Sequence, residues 1–175
     1  SGVKSPVYID LRLLASHPGV QREVAKRIAL ILNDIEFDRI AAVPYAAIPI
    51  ATAVSLEMSR PMVYTRKEAK DYGTKKMVEG EFKEGETAVL LDDLVTTAKS
   101  KFEAIGPLKA AGLNVRDVVV LIDREQGGRE ELEKAGLKLH ALITLSGMLR
   151  KLAAAGKISA EQEKTVLEFV RRNRA

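Results

Sequence analysis

The chain of 175 residues is long enough for one domain with a full hydrophobic core, and its 46% hydrophobic and 30% charged residues are ordinary for a globular protein. The absence of cysteine and the presence of only two histidines exclude disulfides, thiolate catalysis, cysteine-ligated metal and a histidine-rich zinc site, and no apolar run approaches the ~20 residues of a bilayer span. A net charge of +4 without an aromatic-laced basic stripe points to a small anionic substrate, with neither nucleic acid nor membrane as partner.

The first expected strand, residues 7–11, follows almost directly on Ser1-Gly2. So abrupt a start implies a missing N-terminal segment, or one module of a larger polypeptide. After His17-Pro18 the apolar spacing of Val24, Ile28, Ile31 and Leu32 predicts a helix over 20–33. A strand is expected at 39–43, then a helix at 48–58 with Pro49 in its first turn, then a strand at 62–65. Residues 66–86 are strongly charged and follow neither a helical nor a strand period, so they read as a solvated hairpin or a lid. The run 88–91 predicts a buried parallel strand, followed by a helix at 100–111 that Gly112 closes. The β-branched run 115–122 predicts a central strand; helix 129–135 and strand 137–144 follow it. Helices at 147–155 and 159–171 end the chain, the last opened by a capping box of Ser159 and Gln162. Alternation of strand and helix throughout argues for an α/β fold with a mainly parallel sheet. His17 is expected in a loop and His140 at an edge or in the core, and the methionines are packing residues.

The most informative stretch runs from Thr87 to Ser100. Its strand ends in Asp92 and Asp93, then a hydroxyl-containing segment, then a helix start. Ligands of open α/β sheets bind at the carboxyl ends of strands, and a helix N-terminus suits a phosphate. Two acids beside such a loop point to a sugar phosphate; a solvated acidic turn is the plain alternative. Nearby, a mobile cationic loop over 66–80 would close on a polyanion and exclude water.

Asp92-Asp93-Leu94-Val95-Thr96-Thr97-Ala98-Lys99-Ser100 resembles the phosphoribosyl-pyrophosphate (PRPP) motif of type I phosphoribosyltransferases. The resemblance implies that family's fold, a mainly parallel sheet flanked by helices with a mobile catalytic loop, in one domain over 1–175. It implies that Asp92 and Asp93 hold the ribose hydroxyls and that Leu94, Val95, Thr96, Thr97, Ala98, Lys99 and Ser100 form the phosphate loop. Ala98 stands where the family usually has glycine, which tolerates backbone angles that alanine does not.

Four further segments are similar to those of orotate phosphoribosyltransferases. Arg66-Lys67-Glu68-Ala69-Lys70-Asp71-Tyr72-Gly73 resembles the catalytic loop, and Val43-Pro44-Tyr45-Ala46-Ala47-Ile48-Pro49 the pyrophosphate loop. Ser5-Pro6-Val7-Tyr8-Ile9-Asp10, with Ser1-Gly2, resembles the orotate-side loop, which in the family is preceded by a lysine. Asp123-Arg124-Glu125-Gln126-Gly127-Gly128 resembles the segment with an orotate-binding arginine. The resemblance implies transfer of phosphoribosyl from PRPP to orotate with Mg²⁺, giving orotidine 5′-monophosphate and pyrophosphate in pyrimidine biosynthesis. PRPP would be bound by Tyr45, Ala46, Arg66, Lys67, Lys70 and Tyr72 as well as the acids, with Lys70, Asp92 and Asp93 catalytic. Orotate would be bound by Tyr8, Ile9, Thr96 and Arg124. On residue chemistry alone, a strand-end salt bridge of Arg124 with Asp123 or Glu125 is the alternative. The Mg²⁺ is expected to be held mainly by PRPP, with no direct protein ligand. A cytoplasmic homodimer sharing the loop between subunits is implied, and some members are fused to orotidine monophosphate decarboxylase. The rivals are a phosphoribosyltransferase for a purine and a PRPP-sensing regulator.

Overall fold

A computed structural model describes residues 5–66 and 77–173. The described residues form a six-stranded sheet of β1 (Arg39–Ala42), β2 (Met62–Thr65), β3 (Val78–Glu79), β4 (Thr87–Val95), β5 (Asn114–Asp123) and β6 (Lys138–Thr144), in the order β3-β2-β1-β4-β5-β6. Every pairing is parallel except β2 with β3. The helices are α1 (Pro18–Leu32), α2 (Ala47–Met58), α3 (Lys99–Ala110), α4 (Gly128–Lys134), α5 (Leu145–Ala154) and α6 (Ala160–Arg172). The sheet interior is aliphatic, with Ile40, Ala41, Ala42, Leu90, Leu91, Val118, Val119 and Val120 all inaccessible to solvent. Such continuous apolar runs are what a sheet covered on both faces demands.

From β1 the chain crosses through α2 to β2 on one side, and from β4 it crosses through α3 to β5 on the other. The connectivity therefore reverses between β1 and β4, which is where ligand crevices form in open α/β sheets. The two strands also differ in length. Their register ends at Ala42 opposite Leu91, while β4 continues to Val95 beside β5. The last four residues of β4 consequently project past β1, with a cleft in place of a neighbouring strand.

Three sequence expectations change. Residues 7–11 are not a strand: residues 7–10 take no regular structure, and Leu11–Ser16 forms a 3-10 helix. The carboxylate of Asp10 accepts the Arg12 amide, and the Arg12 guanidinium returns to Asp10 and to the Tyr8 hydroxyl. Local bonds of this kind replace a ladder, while Val7, Ile9 and Leu11 still pack on the core and explain the strand-like alternation. The charged stretch contains a short strand, β3, that caps the sheet edge. Asp92 and Asp93 lie inside β4 rather than after it. The remaining elements fall within about two residues of expectation, including Gly112 beyond α3 at φ +90° and the capping box of α6.

Candidate active site at the ends of β1, β4 and β5

The projecting end of β4 forms one wall of a cleft of about 660 Å³. Asp92, Asp93 and Leu94 line that wall, Val43, Pro44, Tyr45 and Ala46 come from the end of β1, and Thr65 and Arg66 from the end of β2. The bond between Pro44 and Tyr45 is cis. Arg66 pairs with Glu79 at 2.9 Å and donates its amide to the Met77 carbonyl. A smaller hollow of about 370 Å³ lies over the start of α3, lined by Leu94, Thr96, Thr97, Lys99, Ser100 and Lys101. The two hollows share Leu94, Ser100, Lys101 and Glu103, so carboxylates and a helix N-terminus face a common space.

The two acids occupy different environments. Asp92 is buried, its Oδ1 accepts the Asp93 amide at 2.8 Å, and its Oδ2 lies 2.7 Å from Lys101 Nζ. Burial pushes its carboxyl above the usual range, opposed by the Lys101 charge and reinforced by Asp93. Asp93 is half-buried and accepts the Leu94 amide through one oxygen. It is the more accessible acid of the pair.

Val95 and Ala98 are buried behind the loop, so only their backbones reach a ligand. Ala98 has φ −80° and ψ −1°, ordinary right-handed angles that require no glycine. The expected cost of alanine at this position is therefore absent from the backbone. The Ala98 amide donates to Glu131 Oε2 on α4 at 2.8 Å, so the loop is tied down by a carboxylate from a neighbouring helix.

Strand β5 ends beside β4, with Val95 opposite Asp123, and the Arg124 amide donates to the Val95 carbonyl at 2.9 Å. This brings Thr96 and Arg124 to adjacent strand ends. The Arg124 guanidinium donates to Ser5 Oγ at 3.0 Å, which draws the N-terminal segment to the same place. Its Nε is buried without a hydrogen-bond partner, as is Oε1 of Gln126. Burial lowers the Arg124 pKa. A strand-end salt bridge is not formed: Asp123 instead receives Arg129 and the Glu125 amide, while Glu125 accepts the Ser146 amide. Glu125 is held at φ +57°, a left-handed conformation that those bonds maintain. An arginine freed from its neighbours, with an orphaned donor, is suited to a planar anionic ligand.

Of the other expected site residues, Tyr8 is 81% exposed, with its hydroxyl accepting from Arg12, and Ile9 packs on the core. Neither lines the two hollows. Lys67, Lys70 and Tyr72 lie outside the described residues. Among the described residues the sequence reading overlooked Lys101 and Glu131. Lys101 did carry a signal: with Ala104, Ile105 and Leu108 it occupies the buried face of α3 at helical spacing.

A parallel sheet with a connection reversal, paired acids beyond it and a helix-start loop beside them form a crevice suited to a sugar phosphate. The chain belongs to the phosphoribosyltransferase family, whose phosphoribosyl transferase domain profile matches residues 12–140. Within it, the orotate phosphoribosyltransferase of Pyrococcus furiosus is 38% identical over 163 residues, 92% of this chain and 87% of that protein. The uridine 5′-monophosphate synthase of Bos taurus is 43% identical over 175 residues, 99% of this chain and 36% of that protein. The structure of Leishmania donovani UMP synthase superposes with a TM-score of 0.93 at 44% identity, covering 98% of this chain and 37% of that one. The chain thus spans little more than a third of these two synthases.

Proposed function

We propose that this domain is an orotate phosphoribosyltransferase, transferring the 5-phosphoribosyl group of PRPP to orotate and releasing pyrophosphate. The observation that carries the reading is the convergence of three strand ends. Asp93 and Asp92 face the cleft, the 96–100 loop opens beside them, and Arg124 with its unpartnered Nε stands at the next strand. In this reading the 5′-phosphate lies over the start of α3, where amides and the helix dipole favour an anion. The ribose hydroxyls meet the acids, and the diphosphate lies between Tyr45-Ala46 and Arg66. Orotate lies toward Thr96 and Arg124.

The bond that forms joins a ring nitrogen of orotate to the anomeric carbon, and the bond that breaks releases pyrophosphate. The charge of orotate sits on its carboxylate, and the proton of the attacking ring nitrogen leaves to water or to the departing pyrophosphate as the bond to carbon forms, so no strong protein base is invoked. Positioning, and stabilisation of charge on the leaving group, carry the rate. Mg²⁺, held mainly by PRPP oxygens, would supply further neutralisation of that charge. Lys70 is assigned from sequence as the donor to the departing diphosphate, and Lys70→Ala is expected to lower turnover far more than orotate affinity.

The wild-type test is turnover with PRPP and Mg²⁺ across orotate, uracil, hypoxanthine and adenine. Orotate alone should react, and turnover of a purine in its place would overturn the assignment. No helix among the described residues is long and apolar enough to cross a membrane; a cytoplasmic location is part of the proposal. A homodimer sharing the loop across subunits is proposed too, with sedimentation as its test. Fusion to a decarboxylase, in keeping with the two synthases, is tested by the full reading frame.

A further inference from the structure

Lys101 is 2% exposed, although it sits in the first turn of a helix at the mouth of two hollows. An ammonium has three donors, and three acceptors surround this one. Asp92 Oδ2 lies at 2.7 Å, Ser100 Oγ at 3.2 Å, and the Leu94 carbonyl completes the set. Two of these partners belong to β4 and the third to α3, so one side chain ties the end of the strand to the start of the helix across the cleft.

Both oxygens of Asp92 are bonded within the protein, one by the Asp93 amide and the other by Lys101. Asp93 is bonded through one oxygen only and lines the same cleft. A carboxylate so deeply buried takes up a proton unless a counter-charge accompanies it. Among the described residues, the other charged groups facing this cleft are Asp93 itself, Glu103 on α3 and Arg66 from the end of β2, with Lys99 in the adjoining hollow. Of these described cations, Lys101 is the one paired with Asp92.

We propose that Lys101 is a positioning residue for the sugar-phosphate substrate: it keeps Asp92 ionised and immobile beside Asp93, so that the acid pair meets the ribose diol in a fixed geometry. Asp92 then contributes fixed charge and holds the turn that starts the phosphate loop. The inference rests on the phosphoribosyl transfer proposed above.

Three variants separate charge from packing: Lys101→Arg keeps the charge, Lys101→Gln keeps a donor without it, and Lys101→Met keeps neither. Steady-state kinetics of each would be measured with PRPP and with orotate varied, from pH 5.5 to 9. Both neutral variants should raise KM for PRPP by about tenfold or more at pH 7 while KM for orotate changes less than about twofold. The acid limb of kcat/KM for PRPP should move alkaline by about 1 unit or more, the scale on which an adjacent charge moves a carboxylate. Lys101→Arg should restore the wild-type limb. If Lys101→Met does not fold, Lys101→Gln and Lys101→Arg decide the matter. An unmoved limb with equal losses for both substrates would overturn the proposal, as would unchanged kinetics in either neutral variant. Wild-type protein that fails to convert orotate at all would instead remove the parent reading.

Discussion

Gly128 opens α4 in contact with the start of the phosphate loop, and Gly128→Ala tests whether that contact sets the site's geometry. A Cβ at this position would fall 2.5 Å from Val95 Cγ2 and 2.9 Å from the Thr96 carbonyl oxygen. Ordinary contact begins at 3.4 Å. Val95 is fully buried and offers no space for retreat, while the Thr96 carbonyl accepts the Gly128 amide at 3.1 Å. Strand end and helix start must therefore separate by several tenths of an ångström. Overpacking of this kind costs about 1–3 kcal/mol, a fall in Tm of about 2–12 °C for a domain of this size. The displaced atoms also carry the Arg124 amide and lead into Thr96. Since about 1 Å of misplacement costs on the order of a hundredfold in rate, kcat/KM for both substrates should fall by about ten- to a hundredfold. Gly19, with nothing within 4 Å of its added Cβ, is the control. Gly19→Ala should keep full activity and gain at most about 1 kcal/mol in helix stability. Differential scanning calorimetry and steady-state kinetics read both variants. A Gly128→Ala protein with wild-type Tm and wild-type kinetics would refute the claim that α4 holds the loop in place.

Arg124→Met should raise KM for orotate by roughly ten- to a hundredfold, the range for a lost charged hydrogen bond, with KM for PRPP little changed. Arg124→Lys should not rescue it, because a lysine lacks the planar fork; equal losses for both substrates would count against the assignment. At the opposite end of the sheet, the Arg39 guanidinium grips Glu86 through two bonds of 2.7 and 2.9 Å, and the Lys83 amide adds a third. Arg39 first, then Lys83, hold the Glu86 carboxyl down to about 2 from its ordinary 4.5. A lowered folded-state pKa gives stability that is complete above 4.5 and lost as pH falls through 2. Glu86→Gln should therefore lower Tm at pH 7 and converge with wild type in strong acid; a pH-independent gap would contradict this.

The strands were legible because a parallel sheet covered on both faces needs unbroken apolar runs, and Ala88 to Leu91 and Val118 to Ile122 are such runs. The acids were legible for a chemical reason, since carboxylates at the end of a buried strand require a use. Their inequality was not. That Asp92 is bonded through both oxygens and Asp93 through one depends on Lys101 reaching back from α3 across the strand-to-helix turn, a contact that spacing only hints at. Residues 7–11 misled because alternation toward a core resembles a strand whether or not a ladder partner exists. The release of Arg124 from its acidic neighbours rests on Arg129, in the first turn of α4, taking Asp123 instead. Pairing choices among several nearby charges are settled by backbone geometry, which composition does not carry.

The hydrogen bond between Ser5 and Arg124 joins residues 119 positions apart and brings the entry of the described chain to the rim of the site proposed for orotate. Whatever precedes Ser5 leaves from that rim. An affinity handle or fluorescent fusion attached upstream would crowd the approach of a planar ligand, and its cleavage would change apparent affinity with no change in the folded domain. Expression designs for this domain are best anchored at the other terminus, and measured ligand affinities belong with the upstream sequence used to obtain them.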